Sequence, residues 1–289
     1  MVKLLLGTSI AIVSFISYLF APVETKKETQ ITLCYVSPSD DSMASFATDP
    51  AFIALHPAPL PLQYDAMGEK VTFKAADGTD ATGYMVKAKK KSDKWLFVYQ
   101  EWWGLNDYIR RQSDTFYNDL NGEVNVLALD LYDGKVTDVP AEAGKLVQGA
   151  QEGRLESIIK GGIAYAGPKA KIANVGWCFG GGWSLRSGLL GGKQTVGTVM
   201  YYGMPVRDVE KLKQLSGDVL GVFATEERIS KEVVEEFAAN MKAANKTLMY
   251  KIYPGVHGFA NPSNPKYDAE SSKQAYAKAI SYLKERFKI

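Results

Sequence analysis

The stretch Ile172-Ala-Asn-Val-Gly-Trp-Cys-Phe-Gly-Gly-Gly-Trp-Ser184 decides how the chain is built. Ile172 to Trp177 is a short apolar run that reads as a buried strand, closed on its far side by a glycine cluster. Within it, Gly176-Trp177-Cys178-Phe179-Gly180 has the Gly-x-Cys-x-Gly spacing of a nucleophile elbow, with sulfur where a serine oxygen is usual. The glycines answer a steric need. A sharp strand-to-helix turn strains its central residue, and side chains two positions to either side would strike the neighbouring elements. A helix starting just after the sulfur points its N-terminus at it, which favours thiolate and offers backbone N–H donors to an oxyanion. Taken alone, the pentapeptide also suits a glycine-rich turn holding an incidental buried cysteine, so its partners must be found elsewhere in the chain.

Upstream, Lys70–Lys74 and Thr82–Lys87 alternate around Asp77-Gly78 and predict an antiparallel hairpin. Trp95–Tyr99 is a continuous apolar run, the mark of a strand covered on both faces. A helix from Asn106, its cap, to Leu120 follows, then a strand over Val124–Leu131 and helices around Ala141–Val147 and Leu155–Tyr165. Beyond the elbow the alternation continues. Strands are expected at Thr195–Tyr202, Val219–Thr225 and Thr247–Tyr253, and helices at Asp208–Leu215, Lys231–Ala244 and Ala269–Phe287. Strands alternating with helices imply one α/β domain with a mostly parallel sheet and helices on both faces.

A thiol nucleophile needs a base within hydrogen-bond reach and an acid to orient that base. The chain has 2 histidines. His257 lies in Pro254-Gly-Val-His-Gly-Phe259, just past the last expected strand, at the sheet edge where open α/β folds bind ligands. His56 lies in a Pro-punctuated segment and reads as a loop or packing residue. Glu226 and Glu227 close the strand ending at Thr225, and one of them is the candidate acid. In Tyr99-Gln-Glu-Trp-Trp-Gly-Leu-Asn106, Glu101 ends a buried strand, where a carboxylate is costly without a partner. Trp102 and Trp103 beside it suggest a binding-site wall, with a core role for at least one as the alternative.

Composition narrows the class. A formal charge of +2 creates no field for nucleic acid or an acidic membrane surface, and no zinc-type cysteine pairs occur. The 2 cysteines, Cys34 and Cys178, could form at most one bridge, which would consume the candidate nucleophile, so both read as free thiols. Lys3 followed by the uncharged run Leu4–Phe20 resembles an export signal, with an uncleaved anchor as the alternative because the site near Ala21 is a poor one. The expected layout is residues 1–22 as leader or anchor, 23–65 as a linker or a strap laid over the domain, and 66–289 as the α/β domain.

From about residue 66 onward the chain resembles the dienelactone hydrolase family of α/β-hydrolases. Gln100-Glu101-Trp-Trp-Gly104, Asp130-Leu-Tyr132, Gly176-Trp-Cys-Phe-Gly-Gly181 and His257-Gly-Phe259 carry the resemblance. It implies an α/β-hydrolase fold, Cys178 as nucleophile, His257 as base and an acid after the strand ending at Thr225. It also implies that Glu101 pairs with the cysteine at rest, and that the amides of Trp102 and Phe179 form the oxyanion hole. The family's acid is usually aspartate. Here the aligned position holds Glu227 in a loop one residue short, with Glu226 as the alternative. Where family members hold a substrate carboxylate with arginines, this chain has Gly134 and Asn261; Lys135 nearby is a point charge without the bidentate fork, so dienelactone itself is not the expected substrate. Trp103, Tyr132, Lys135 and Asn261 are the candidate substrate-binding residues.

The expectation is an exported cysteine hydrolase of a small-molecule ester or lactone, with a Cys-His-Glu triad and no metal or organic cofactor. Nucleic acid is not an expected partner, and a membrane is one only through an uncleaved N-terminal segment. The alternatives are a thioesterase or acyl transferase on the same fold, or a binding protein with a degenerate triad.

Overall fold

A computed structural model describes residues 49–54, 56–226 and 228–289, together with Met43 and Ala47. The expected leader, Cys34 and Glu227 lie outside the described residues.

The sheet is eight-stranded, in the order β1-β2-β4-β3-β5-β6-β7-β8. Strands β1 (Glu69–Lys74) and β2 (Asp80–Val86) form the expected hairpin, and β2 runs antiparallel to β4 (Asn125–Leu129). The rest pair in parallel: β3 (Lys94–Tyr99), β5 (Lys171–Trp177), β6 (Thr195–Tyr201), β7 (Asp218–Ala224) and β8 (Leu248–Tyr253). Among the described residues, eight α-helices punctuate the strands in chain order: α1 (Pro50–Ala54), α2 (Asp107–Asp119), α3 (Pro140–Gly149), α4 (Glu152–Ala166), α5 (Phe179–Leu190), α6 (Val209–Leu212), α7 (Lys231–Ala243) and α8 (Ala269–Phe287). This is the α/β-hydrolase arrangement, with the helices packed around the sheet.

Local chemistry accounts for most boundaries. Asn106 caps α2 by accepting from the Ile109 amide, Asp208 caps α6, Ser230 caps α7 and Asp268 caps α8. Helix α6 is shorter than its apolar pattern predicts, with Leu212 its single buried residue, so little packing stabilises a second turn.

The core is centred on β3 and β5, where Leu96, Phe97, Val98, Ala173 and Val175 are wholly buried. A polar relay runs through it: the Tyr99 hydroxyl donates to Ser187 Oγ (2.6 Å), which donates to Asn174 Oδ1 (2.8 Å). Each such bond stabilises by about 1 kcal/mol, and together they fix α5 against β3 and β5. The carboxyl ends of β3, β5, β7 and β8 consequently converge at one edge, and the candidate residues stand there.

Residues from the 23–65 segment form a strap across the domain. Phe52 on α1 is buried, the ring of Tyr64 reaches Asp114 through its hydroxyl (2.7 Å), and Tyr108 donates to the Leu60 carbonyl (2.9 Å). Asp49 forms an ion pair with Arg228, tying the strap to the loop after β7.

Candidate active site

Cys178 occupies the turn between β5 and α5 with φ 57° and ψ −118°, a strained conformation for a residue with a side chain. Its amide donates to the Tyr201 carbonyl (3.0 Å), and its own carbonyl accepts from Gly181 (3.0 Å). The flanking glycines are required by close approach. A Cβ on Gly176 would come 2.1 Å from the Gly180 carbonyl oxygen, and one on Gly180 would come 2.3 Å from that of Gln100. Cys178 is a free thiol, 2 % exposed. Burial pushes its pKa up, while His257 and the Phe179 amide pull it down. Phe179 is the first residue of α5, so its N–H has no partner within the helix and faces the sulfur.

His257 sits on the loop after β8. The Thr225 amide bonds to the Tyr253 and Gly255 carbonyls, knitting this loop to the one after β7. Nδ1 of His257 lies 2.9 Å from both carboxylate oxygens of Glu226. The carboxylate can only accept, so Nδ1 carries the proton and Nε2 is turned toward the thiol. The imidazole and the Cys178 thiol interact directly, with a ring nitrogen within 4.8 Å of Sγ. Burial works against the imidazolium, but Glu226 and Cys178 outweigh it and hold His257 well above the ordinary histidine pKa.

The carboxylate on the imidazole is that of Glu226, the alternative to Glu227, which lies outside the described residues.

Glu101 is 8 % exposed at the end of β3. It accepts from Asn261 Nδ2 (2.5 Å) and from the Tyr202 hydroxyl (3.4 Å), and no hydrogen bond joins it to the thiol. The expected Glu101–Cys178 pairing is thus replaced. Asn261, expected on the substrate side, instead holds Glu101, because the loop carrying His257 turns back over the end of β3. Burial pushes the Glu101 carboxyl up to about 7, against the opposing pull of His257, Asn261 and Tyr202.

Trp102 and Trp103 are 1 % and 3 % exposed, so both belong to the packed interior and neither forms an open wall. Their rings meet edge-on, with centroids 4.9 Å apart. Tyr132 packs its ring on Phe179 (5.3 Å), and its buried hydroxyl has no partner. Asp130 shapes the loop beneath by accepting from the Tyr132 and Gly134 amides. Lys135 is exposed and takes no part in the cluster around Cys178. A small cavity of ≈ 30 Å³ lies beside Glu101, lined by Ile109, Trp177, Asn261 and Pro262.

His56, expected as a loop or packing residue, packs beside the cluster. It is buried on the strap, its ring 5.1 Å from that of His257, 4.8 Å from that of Trp102 and 4.2 Å from that of Phe52. Burial, and next the proximity of His257, lower its pKa to about 3, so it is neutral. The available signals were faint: it is one of only two histidines, and Phe52 stands four residues before it.

A thiol on an elbow, an imidazole on the next-but-two strand's loop and a carboxylate behind it, on this sheet, define a carboxylic ester hydrolase of the α/β-hydrolase fold. The dienelactone hydrolase family pattern matches residues 81–287, and the chain belongs to that family. "Protein usf" of Aquifex pyrophilus is 27% identical over 234 residues, covering 76% of this chain and 99% of its own length. A "Putative carboxymethylenebutenolidase" of Saccharolobus solfataricus is 26% identical over 259 residues, covering 75% of this chain and 98% of its own. Among solved structures, a dienelactone hydrolase-like promiscuous phosphotriesterase from metagenomic libraries superposes with a TM-score of 0.62 at 20% identity, covering 76% of this chain and 99% of that one. That last likeness is one of fold.

Proposed function

We propose that this protein hydrolyses a small-molecule carboxylic ester or lactone through Cys178, His257 and Glu226. The observation that carries the reading is the contact of Glu226 with His257 Nδ1 together with that of the imidazole with an elbow thiol. Nε2 takes the thiol proton, and the thiolate sulfur attacks the carbonyl carbon. The oxygen that becomes negative is stabilised by the Phe179 amide and the Trp102 amide, donors whose loss typically costs about 3–4 kcal/mol of transition-state stabilisation. The imidazolium returns its proton to the departing alkoxide, leaving a thioester on Cys178. His257 then draws a proton from water, hydroxide adds to the thioester, and the acid is released with the thiol restored. Glu226 keeps the proton on Nδ1 throughout. Glu101 stands beside this path and sets the local charge.

Incubation with a panel of small esters, lactones and thioesters followed by intact-mass measurement tests the reading. An acyl mass on wild-type protein that disappears in Cys178→Ala is expected, together with loss of turnover. Turnover retained in Cys178→Ala would reject the mechanism, and adducts formed from thioesters alone would move the substrate class.

Export is part of the same proposal, supported by Lys3 and the apolar run Leu4–Phe20. Fractionation of cells expressing the full chain checks it: recovery in the cytoplasm alone would reject export.

A further inference from the structure

Three donor groups meet at the elbow: Cys178 Sγ and one ring nitrogen each of His257 and His56, all within 4.8 Å of one another. All three residues are buried, at 2 %, 1 % and 6 % exposure. Nε2 of His56 is buried without a hydrogen-bond partner, which is costly and calls for an explanation, whereas His257 has the thiol beside it. Only His257 and Cys178 are used in the hydrolytic mechanism, and His56 has no part in it.

We propose that Cys178, His257 and His56 form a three-ligand site for a zinc-class transition-metal ion, and that its occupation shuts the hydrolase off. One sulfur and two imidazoles select zinc, cobalt or copper over magnesium or calcium, which prefer oxygen ligands. In their neutral forms both imidazoles carry the metal-binding tautomer. Nδ1 of His56 lies 2.7 Å from the Phe52 carbonyl, an acceptor only, so Nδ1 carries the proton and Nε2 keeps its lone pair. His257 is oriented the same way by Glu226, the carboxylate–histidine arrangement that commonly backs metal ligands. Tetrahedral zinc with bonds of about 2.0–2.3 Å places its ligands roughly 3.3–3.7 Å apart, so the set closes by about 1 Å on binding. Metal–sulfur bond formation releases the thiol proton to solvent. Two atoms that hydrolysis needs, the thiolate and the Nε2 lone pair, are then occupied, while the fourth metal position stays open to water. The strap makes the site: without His56 the elbow offers two ligands.

The inhibitory consequence rests on the proposed hydrolase mechanism, whereas metal binding does not, so binding is read separately. Full-length protein stripped with a chelator is titrated with Co²⁺ and followed by absorbance. One equivalent with a thiolate-to-cobalt charge-transfer band is expected, absent in Cys178→Ala. Affinity should fall about tenfold or more in His56→Ala and in His56→Gln, the second keeping side-chain bulk where the first fails to fold. Zinc should inhibit ester hydrolysis reversibly, with chelator restoring the rate, and each variant's inhibition is scored against its own metal-free rate. No charge-transfer band at millimolar Co²⁺, or an affinity unchanged by loss of His56, would overturn the site. Binding without inhibition would overturn the switch.

Discussion

Both carboxylate oxygens of Glu226 lie 2.9 Å from Nδ1 of His257, an imidazole that is 1 % exposed. A symmetric contact of this kind fixes the tautomer and the ring plane at once. It also stabilises the imidazolium that forms when the thiol gives up its proton, in surroundings where no water can do so.

Glu226→Gln keeps the shape of that contact and removes its charge. Its kcat/KM should fall by roughly a hundredfold or more, in line with orienting carboxylates in comparable triads. Glu227→Gln should stay within about twofold of wild type on general grounds for a loop substitution. Steady-state kinetics on the two variants decides, and the reverse order would transfer the role to Glu227.

The pH profile should be shifted toward alkali. His257 must be neutral at Nε2 to accept the thiol proton, and Glu226 with Cys178 raises its pKa. The base form is therefore lost as pH falls through a value above the ordinary 6.5, and burial of Cys178 acts in the same direction. We expect kcat/KM to rise through neutrality into the alkaline range. In Glu226→Gln the acid limb should move to lower pH, because the group that raises His257 has lost its charge. An acid limb below pH 6 in wild type would contradict this.

Glu101 makes stability depend on pH. Its folded pKa of about 7 is raised from 4.5, so the protonated form is favoured by folding. That contribution is full below the unfolded value and is lost as pH rises through about 7. Between pH 5 and 9 the loss is on the order of 3 kcal/mol, at 1.36 kcal/mol per unit. Glu101→Gln should flatten this slope and melt higher than wild type at pH 9, with the two proteins closer at pH 5. Parallel melting curves at both pH values would show that Glu101 is solvated or paired more strongly than its surroundings indicate.

Much of this molecule could be read from residue order. The strands of the parallel sheet are apolar runs, α2 and α8 begin at Asn106 and Asp268 because those side chains cap the first turn, and the elbow is written in Gly176 and Gly180. These features depend on neighbours a few residues away, and local sterics and hydrogen bonding dictate them. The placement of Cys178 and His257 at one sheet edge follows too, since parallel strands must all end on the same side. Other features arise from contacts across long separations, to which no local pattern is sensitive. Glu101 is held by Asn261, 160 residues distant, rather than by the thiol. Residue order left Glu226 and Glu227 both open, and Glu226 is the one bonded to the imidazole in the folded chain. Trp102 became interior with Phe52 and His56 of the strap packed on it, and that same strap carried His56 to the nucleophile. Residue order set which side chains could do chemistry; the return of a distant segment over the sheet edge, driven by burial of Phe52 and its neighbours, set which of them met.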